Sequence, residues 1–174
     1  ALLHGVTGSG KTLVYIRLIR RCLGIGRQAM VLVPEIALTP QLLNRLYGHF
    51  GSRVAVLHSG LSAGERYDEW KRIRSGRADV VVGTRSAVFA PLTNIGLIVI
   101  DEEQETSYRS EQSPRYHARD VAKFRAVQHG ALLLLASATP TVESMYAAKS
   151  GRYSYYRMEN RYGGIQLPKV TFAD

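Results

Sequence analysis

Cysteine is nearly missing from this chain. Cys22 is the single one, so no disulfide can close within the sequence, and no set of residues has metal-ligand spacing. No apolar run approaches the roughly 20 residues a membrane-spanning helix needs. No signal-like segment precedes the first motif, so a soluble, cytoplasmic protein is expected. No Pro/Ser-rich linker, charge block or internal repeat divides the 174 residues, which suits one domain of ordinary size. Acidic residues are scarce, 14 against 23 basic ones, for a net charge of +9. Five of the 23 are Lys, so the excess is mostly Arg, whose planar fork suits phosphate. Nucleic acid is the natural polyanionic partner, with a basic surface that binds nothing as the alternative.

What is present begins with Gly5-Val6-Thr7-Gly8-Ser9-Gly10-Lys11-Thr12, which has the G-x-x-x-x-G-K-[ST] spacing of a phosphate-binding loop. Glycines let a backbone turn tightly around a phosphate and approach it closely. Successive N–H groups and the start of the next helix then face the anion. Gly5, Thr7, Gly8, Ser9, Gly10, Lys11 and Thr12 are therefore candidate nucleotide-binding residues. Lys11 is placed to reach the β- and γ-phosphates of ATP and the Thr12 hydroxyl to ligate Mg²⁺. The context fits: Ala1-Leu2-Leu3-His4 reads as the end of a buried strand. Val14, Ile16, Leu18, Ile19 and Leu23 recur with helical spacing before Gly24 and Gly26. Cys22 falls on the apolar side of that helix and reads as a buried, inert thiol.

Short apolar runs then alternate with helical patterns. Strands are expected at 29–33, 54–57, 80–82, 97–100 and 132–135, continuous in apolar residues and not alternating, as when helices cover both faces of a sheet. Thr39 and Pro40 open a helix running to Phe50, Ser62 and Glu65 form a capping box for one running to Arg74, and Thr139 and Pro140 suggest a third start, for a helix to Lys149. A further helix is expected over 116–129. Tyr153, Tyr155 and Tyr156 read as an edge strand or as a start toward another domain. The expected fold is α/β, a three-layer nucleotide-binding domain with a mainly parallel central sheet.

Ligands in such sheets sit beyond the carboxyl ends of the strands, where Asp101-Glu102-Glu103-Gln104 falls. Asp101 can hold Mg²⁺ opposite Thr12, and Glu102 can orient and deprotonate the attacking water. A solvated acidic turn is the alternative.

The phosphate loop, Val33-Pro34-Glu35-Ile36-Ala37-Leu38-Thr39, Gly83-Thr84-Arg85-Ser86-Ala87, Asp101-Glu102-Glu103, Arg115-Tyr116-His117-Ala118-Arg119-Asp120 and Ser137-Ala138-Thr139-Pro140 occur in the order seen in superfamily 2 helicases. The Gly83 and Arg115 stretches resemble specifically those of the bacterial primosomal replication-restart helicases. The resemblance implies the first RecA-like lobe of an ATP- and Mg²⁺-dependent 3′→5′ DNA helicase of the DEAH type, acting on single-stranded and forked DNA with primosome and single-strand-binding proteins in the bacterial nucleoid. Thr39, Gly83, Thr84, Arg85 and Ser86 would then touch DNA, and Ser137 and Thr139 would couple the nucleotide state to lobe movement. Gln104 stands where these families usually carry His, a position that bridges the two, and Gln also fits the repair translocases of the same superfamily.

By the same resemblance residues 1–157 form the lobe, truncated at its N-terminus, and 158–174 connect toward a second lobe that would supply an arginine finger and, elsewhere in the parent, a zinc site. The 174 residues alone are expected to be nearly inactive. The polar, aperiodic segment from 105 to 114 is expected to be a mobile loop; Tyr108 and Arg109 within it and Arg115 and Tyr116 directly after it offer stacking faces and cations to single-stranded DNA. The alternative is a solvent loop whose tyrosines pack on the following helix. A non-hydrolysing, nucleotide-gated DNA-binding module is a second functional reading. A P-loop kinase or GTPase-like switch is disfavoured because no N-K-x-D string is present.

Overall fold

Each buried apolar run becomes a short strand, and each periodic stretch a helix, in the computed structural model of the chain, which describes residues 1–160. The strands are β1 (Leu2–Gly5), β2 (Gln28–Leu32), β3 (Val54–Leu57), β4 (Val80–Gly83), β5 (Ile95–Asp101), β6 (Leu132–Ser137) and β7 (Tyr155–Met158). The helices are α1 (Lys11–Gly24), α2 (Pro40–Phe50), α3 (Ala63–Arg74), α4 (Ala118–His129) and α5 (Val142–Lys149). The strands form one sheet in the order β3-β4-β2-β5-β6-β1-β7. Every pairing is parallel, so the sheet expected to be mainly parallel is parallel throughout the described residues.

Alternate residues along each strand serve opposite faces, because successive side chains of a strand point to opposite sides. Leu3, Val31 and Val99 pack with Tyr15, Ile16 and Ile19 of α1 and with Leu46 and Phe50 of α2. Leu2, Met30, Ile98 and Ile100 pack with Ile73 of α3 and Ala118, Ala122 and Ala126 of α4. Burial on both faces is why the sequence shows apolar runs without alternation. All strands point the same way, so the phosphate loop after β1, Asp101 at the end of β5 and Ser137 at the end of β6 arrive on one edge.

Two helix starts form as the sequence indicates. Thr39 Oγ1 accepts the Leu42 N–H at 3.3 Å ahead of Pro40, and Ser62 and Glu65 form a reciprocal capping box, caps of this kind contributing about 1 kcal/mol each. A third start differs. Thr141, not Thr139, caps α5 by accepting the Ser144 N–H, while the Thr139 N–H is taken by Ser137 Oγ at 2.8 Å. Helix α4 begins at Ala118 behind His117, two residues later than its pattern suggests. The expected boundary after residue 157 falls inside β7, and most of the 158–174 connector lies outside the described residues. Among the described residues no helix is long and apolar enough to cross a membrane.

Candidate active site

The loop between β1 and α1 takes its shape from two left-handed glycines, Gly8 (φ 79°) and Gly10 (φ 92°), a region that strains other residues. A Cβ on Gly5 would lie 2.6 Å from Ser9 Oγ, so the loop closes on itself where a side chain would stand. The amides of Gly8, Gly10, Lys11 and Thr12 have no backbone acceptor among the described residues, and the buried Ser9 hydroxyl has no partner there either. A concave run of free donors at a helix start is what a phosphate requires. Lys11 is buried, its ammonium donating to the Gly5 carbonyl at 2.9 Å and lying 3.9 Å from Glu102 Oε1. Loop and carboxylates line one cleft of about 600 Å³, which Arg45 and His49 of α2 also line. The loop motif gave no hint of these two.

Tyr15 ties the acidic side of the cleft to the loop. Its hydroxyl donates to Asp101 Oδ2 at 2.9 Å and lies 3.0 Å from Thr12 Oγ1. Burial and the Asp101 charge push this phenol well above its ordinary pKa, so it remains a donor. Burial also pushes the Asp101 carboxyl up; the Tyr15 bond works against that, the Glu102 charge with it, and Lys11 against it. Thr12 Oγ1 and Asp101 Oδ2 thus converge on one atom's neighbourhood. A hydroxyl and a carboxylate are hard oxygen donors, and Mg²⁺ takes one or two such protein ligands and keeps waters, so the residues fit that ion. Glu102 follows with φ 46°, a left-handed conformation costing a non-glycine residue about 1–3 kcal/mol. Its N–H donates to Asp101 Oδ1 at 3.1 Å, and its carboxylate is carried to the Lys11 side.

A second set of bonds leads away from the cleft. Gln104 Nε2 donates to Glu102 Oε2 at 3.1 Å, the Ser137 hydroxyl donates to Gln104 Oε1 at 2.6 Å, and the Thr139 N–H donates to Ser137 Oγ at 2.8 Å. Gln104 uses both ends of its amide, as a donor on one side and an acceptor on the other. Glu103 turns the opposite way and is fully buried. It accepts from the Thr141 N–H at 2.7 Å, from Ser144 Oγ at 3.1 Å and from Arg119 Nη1 at 3.1 Å. It thereby fixes the start of α5 to α4, a role its place in an acidic cluster concealed.

Of the residues expected to meet DNA, Thr39, Ser86, Arg109 and Arg115 are exposed and Arg85 and Tyr116 half-buried. Two expectations are corrected. Gly83 is buried, and a Cβ there would stand 2.1 Å from the Leu57 carbonyl, so its glycine serves strand packing. Thr84 is largely buried, with its N–H donating to Leu57 O at 3.1 Å, and it lines a cleft beside Arg85 and Ser86. Tyr108 is 1% exposed, with its hydroxyl donating to the Asp101 carbonyl at 2.7 Å, and has no face to stack on a base. The alternative reading, tyrosines packed inward, describes it.

The loop that carries Tyr108 is tied down as well. The Ser110 N–H donates to Tyr116 O at 2.8 Å, Arg109 bridges His117, and Arg85 Nη1 donates to the Arg109 carbonyl at 2.6 Å. The expectation of a free loop missed these closures because they join residues without periodicity.

A parallel sheet flanked by helices, a glycine-rich loop over a helix start and a carboxylate pair facing it define a RecA-like nucleotide-binding domain. Residues 1–147 match the DEAD/DEAH box helicase family, and the chain belongs to that family. It is 53% identical over 173 residues to the replication restart protein PriA of Bacillus subtilis, covering 99% of this chain and 22% of that protein. With the PriA of Synechocystis it shares 48% identity over 178 residues, covering 99% of this chain and 21% of the relative. The chain thus spans about a fifth of these relatives. Among solved structures, RecG bound to a three-way DNA junction superposes with a TM-score of 0.66 at 26% identity, over 95% of this chain and 21% of that one. A DEAD box protein from Methanococcus jannaschii superposes at 0.59 with 22% identity, over 90% of this chain and 44% of that one, a likeness of fold.

Proposed function

We propose that the chain is the ATP-binding lobe of an ATP-dependent 3′→5′ DNA helicase acting in replication restart and primosome assembly in the bacterial cytoplasm. The reading is carried by the chain of hydrogen bonds from Glu102 through Gln104 and Ser137 to Thr139, which joins the carboxylate facing the phosphate loop to the start of the next connecting segment. The free amides of Gly8, Gly10, Lys11 and Thr12 and the Lys11 ammonium would hold the β- and γ-phosphates. Thr12 and Asp101 would hold Mg²⁺, which neutralises developing charge on the phosphates when bound. Glu102 would orient the attacking water and take its proton. Gln104, Ser137 and Thr139 would report the state of Glu102 to a second lobe, and Gln104 performs the bridging with both ends of one amide. Thr39, Arg85, Ser86, Arg109, Arg115 and Tyr116 would face single-stranded or forked DNA, with cations and hydroxyls on the phosphates. The relatives' name, replication restart protein, supports the cellular role. A repair translocase of the same superfamily, which Gln104 also fits, is the runner-up, and likeness to RecG bound to a three-way DNA junction supports DNA as the partner in either case. Steady-state ATP turnover of a chain carrying both lobes, with and without single-stranded DNA, tests the proposal. Turnover stimulated by DNA is expected, whereas a nucleotide-gated binding module would show none in either condition.

A further inference from the structure

Three large aromatics stand exposed where the core does not need them. Tyr67 (56% exposed) and Trp70 (41%) lie on α3, and Phe89 (57%) ends the turn after β4. The Tyr67 and Trp70 rings stack with planes 9° apart and centroids 6.4 Å apart, and Phe89 is held edge-on by Tyr116 at 4.9 Å. Cations attend them: Lys71 Nζ sits 4.2 Å from the Tyr67 centroid, and the Arg74 guanidinium 5.6 Å from that of Trp70. Trp70 and Phe89 line one cleft with His58, Arg66 and Ser86. Ser86 also lines the neighbouring cleft, with Glu35, Ser59, Thr84, Arg85 and Ser107, so the two adjoin along the carboxyl edge of the sheet.

Charge argues for a polyanion. Arg66, Trp70 and Arg74 follow one another at i, i+4 and share a helix face, from which Asp68, two residues away from Arg66 and Trp70, is turned aside. The remaining α3 carboxylates are engaged elsewhere, Glu65 with Ser62 and Glu69 with the Val56 N–H and Arg72. Rings fixed by their neighbours with guanidinium groups beside them are what a nucleobase and its phosphate need, because every base offers a π-face and Arg forks a phosphate. Being held in place already, they lose little freedom on binding.

We propose that α3 and the turn after β4 form a base-stacking subsite for single-stranded DNA, with Trp70 as the platform and Phe89 as the second wall of the cleft. This rests on the DNA reading above and extends its path from Ser86 outward to α3. It adds a contact that holds a base, not only backbone.

Trp70 is the single tryptophan of the chain, so its fluorescence reports on this site alone. The 174-residue chain is titrated at low salt with fluorescein-labelled oligothymidylate, and separately with an abasic oligonucleotide of the same length. Anisotropy measures binding and selective tryptophan excitation measures stacking. Oligothymidylate is expected to quench Trp70 in step with the anisotropy and to bind more tightly than the abasic strand. Trp70→Ala removes that advantage, a loss of roughly 5- to 150-fold, and Trp70→Phe restores most of it. Phe89→Ala weakens oligothymidylate in the same sense, and circular dichroism checks that each variant is folded. Binding without quenching, or an equal loss for both strands in Trp70→Ala, overturns the subsite and leaves the DNA reading standing, with α3 free to face a protein. If neither strand binds, the DNA reading fails and the subsite with it.

Discussion

Replacing Tyr15 with Phe removes one oxygen from the site and leaves its ring in the core. That oxygen is the hydroxyl that donates to Asp101 Oδ2 at 2.9 Å, and a hydrogen bond to a charged group contributes about 1.5–3 kcal/mol. Burial already pushes the Asp101 carboxyl above its ordinary value of 3.8, with the Tyr15 bond pulling it back. A group whose folded pKa is raised is at no disadvantage below its unfolded value and costs stability as pH climbs through the folded one. Loss of the donor raises the folded value further and deepens that cost at neutral pH. Urea unfolding should therefore show Tyr15→Phe less stable at neutral pH by about 1.5–3 kcal/mol, with m unchanged and the gap closing as the carboxyl is protonated in acid. Equal stability at neutral pH, or a gap of the same size at every pH, would refute the reasoning.

Gln104→Ala cuts the bonds to Glu102 and Ser137; in a two-lobed chain it should spare nucleotide binding and lower DNA stimulation of ATP turnover by about 5- to 150-fold, and undiminished stimulation would place the coupling elsewhere. Glu103→Ala strands Arg119 beside the exposed start of α5 and should cost about 3–5 kcal/mol in urea unfolding, as breaking buried ion pairs does; a cost near zero would mean the node is not holding α5. Tyr108→Ala should cost a similar ~3–5 kcal/mol because it empties a buried aromatic site, and a fully stable variant would mean the ring does not pack as described.

The strands were legible because burial on both faces leaves uninterrupted apolar runs. The phosphate loop and carboxylates were legible because their chemistry demands fixed types at fixed spacing. Tyr15 was not, since a buried Tyr three residues after Thr12 looks like any other core position of α1, and its partner Asp101 is 86 residues away. Glu103 was hidden for the same reason: its partners lie on α4 and around the start of α5, and sequence spacing does not reveal which member of Asp101-Glu102-Glu103 turns inward. Thr139 competed with Thr141 as a helix start, and the tertiary bond from the Thr141 N–H to Glu103 accompanies the later one. Tyr108 lies in polar, aperiodic sequence, which carries no sign that a single aromatic anchors the loop to the core.

Calorimetric titration of the chain with Mg²⁺·ATP, for the wild type and for Lys11→Ala, tests the nucleotide site most directly. The wild type should bind weakly, and Lys11→Ala should abolish the binding by removing a charge-assisted contact to the phosphates. Equal affinity of the two proteins would remove Lys11 from the site and contradict a nucleotide-binding role for the loop from Gly5 to Thr12.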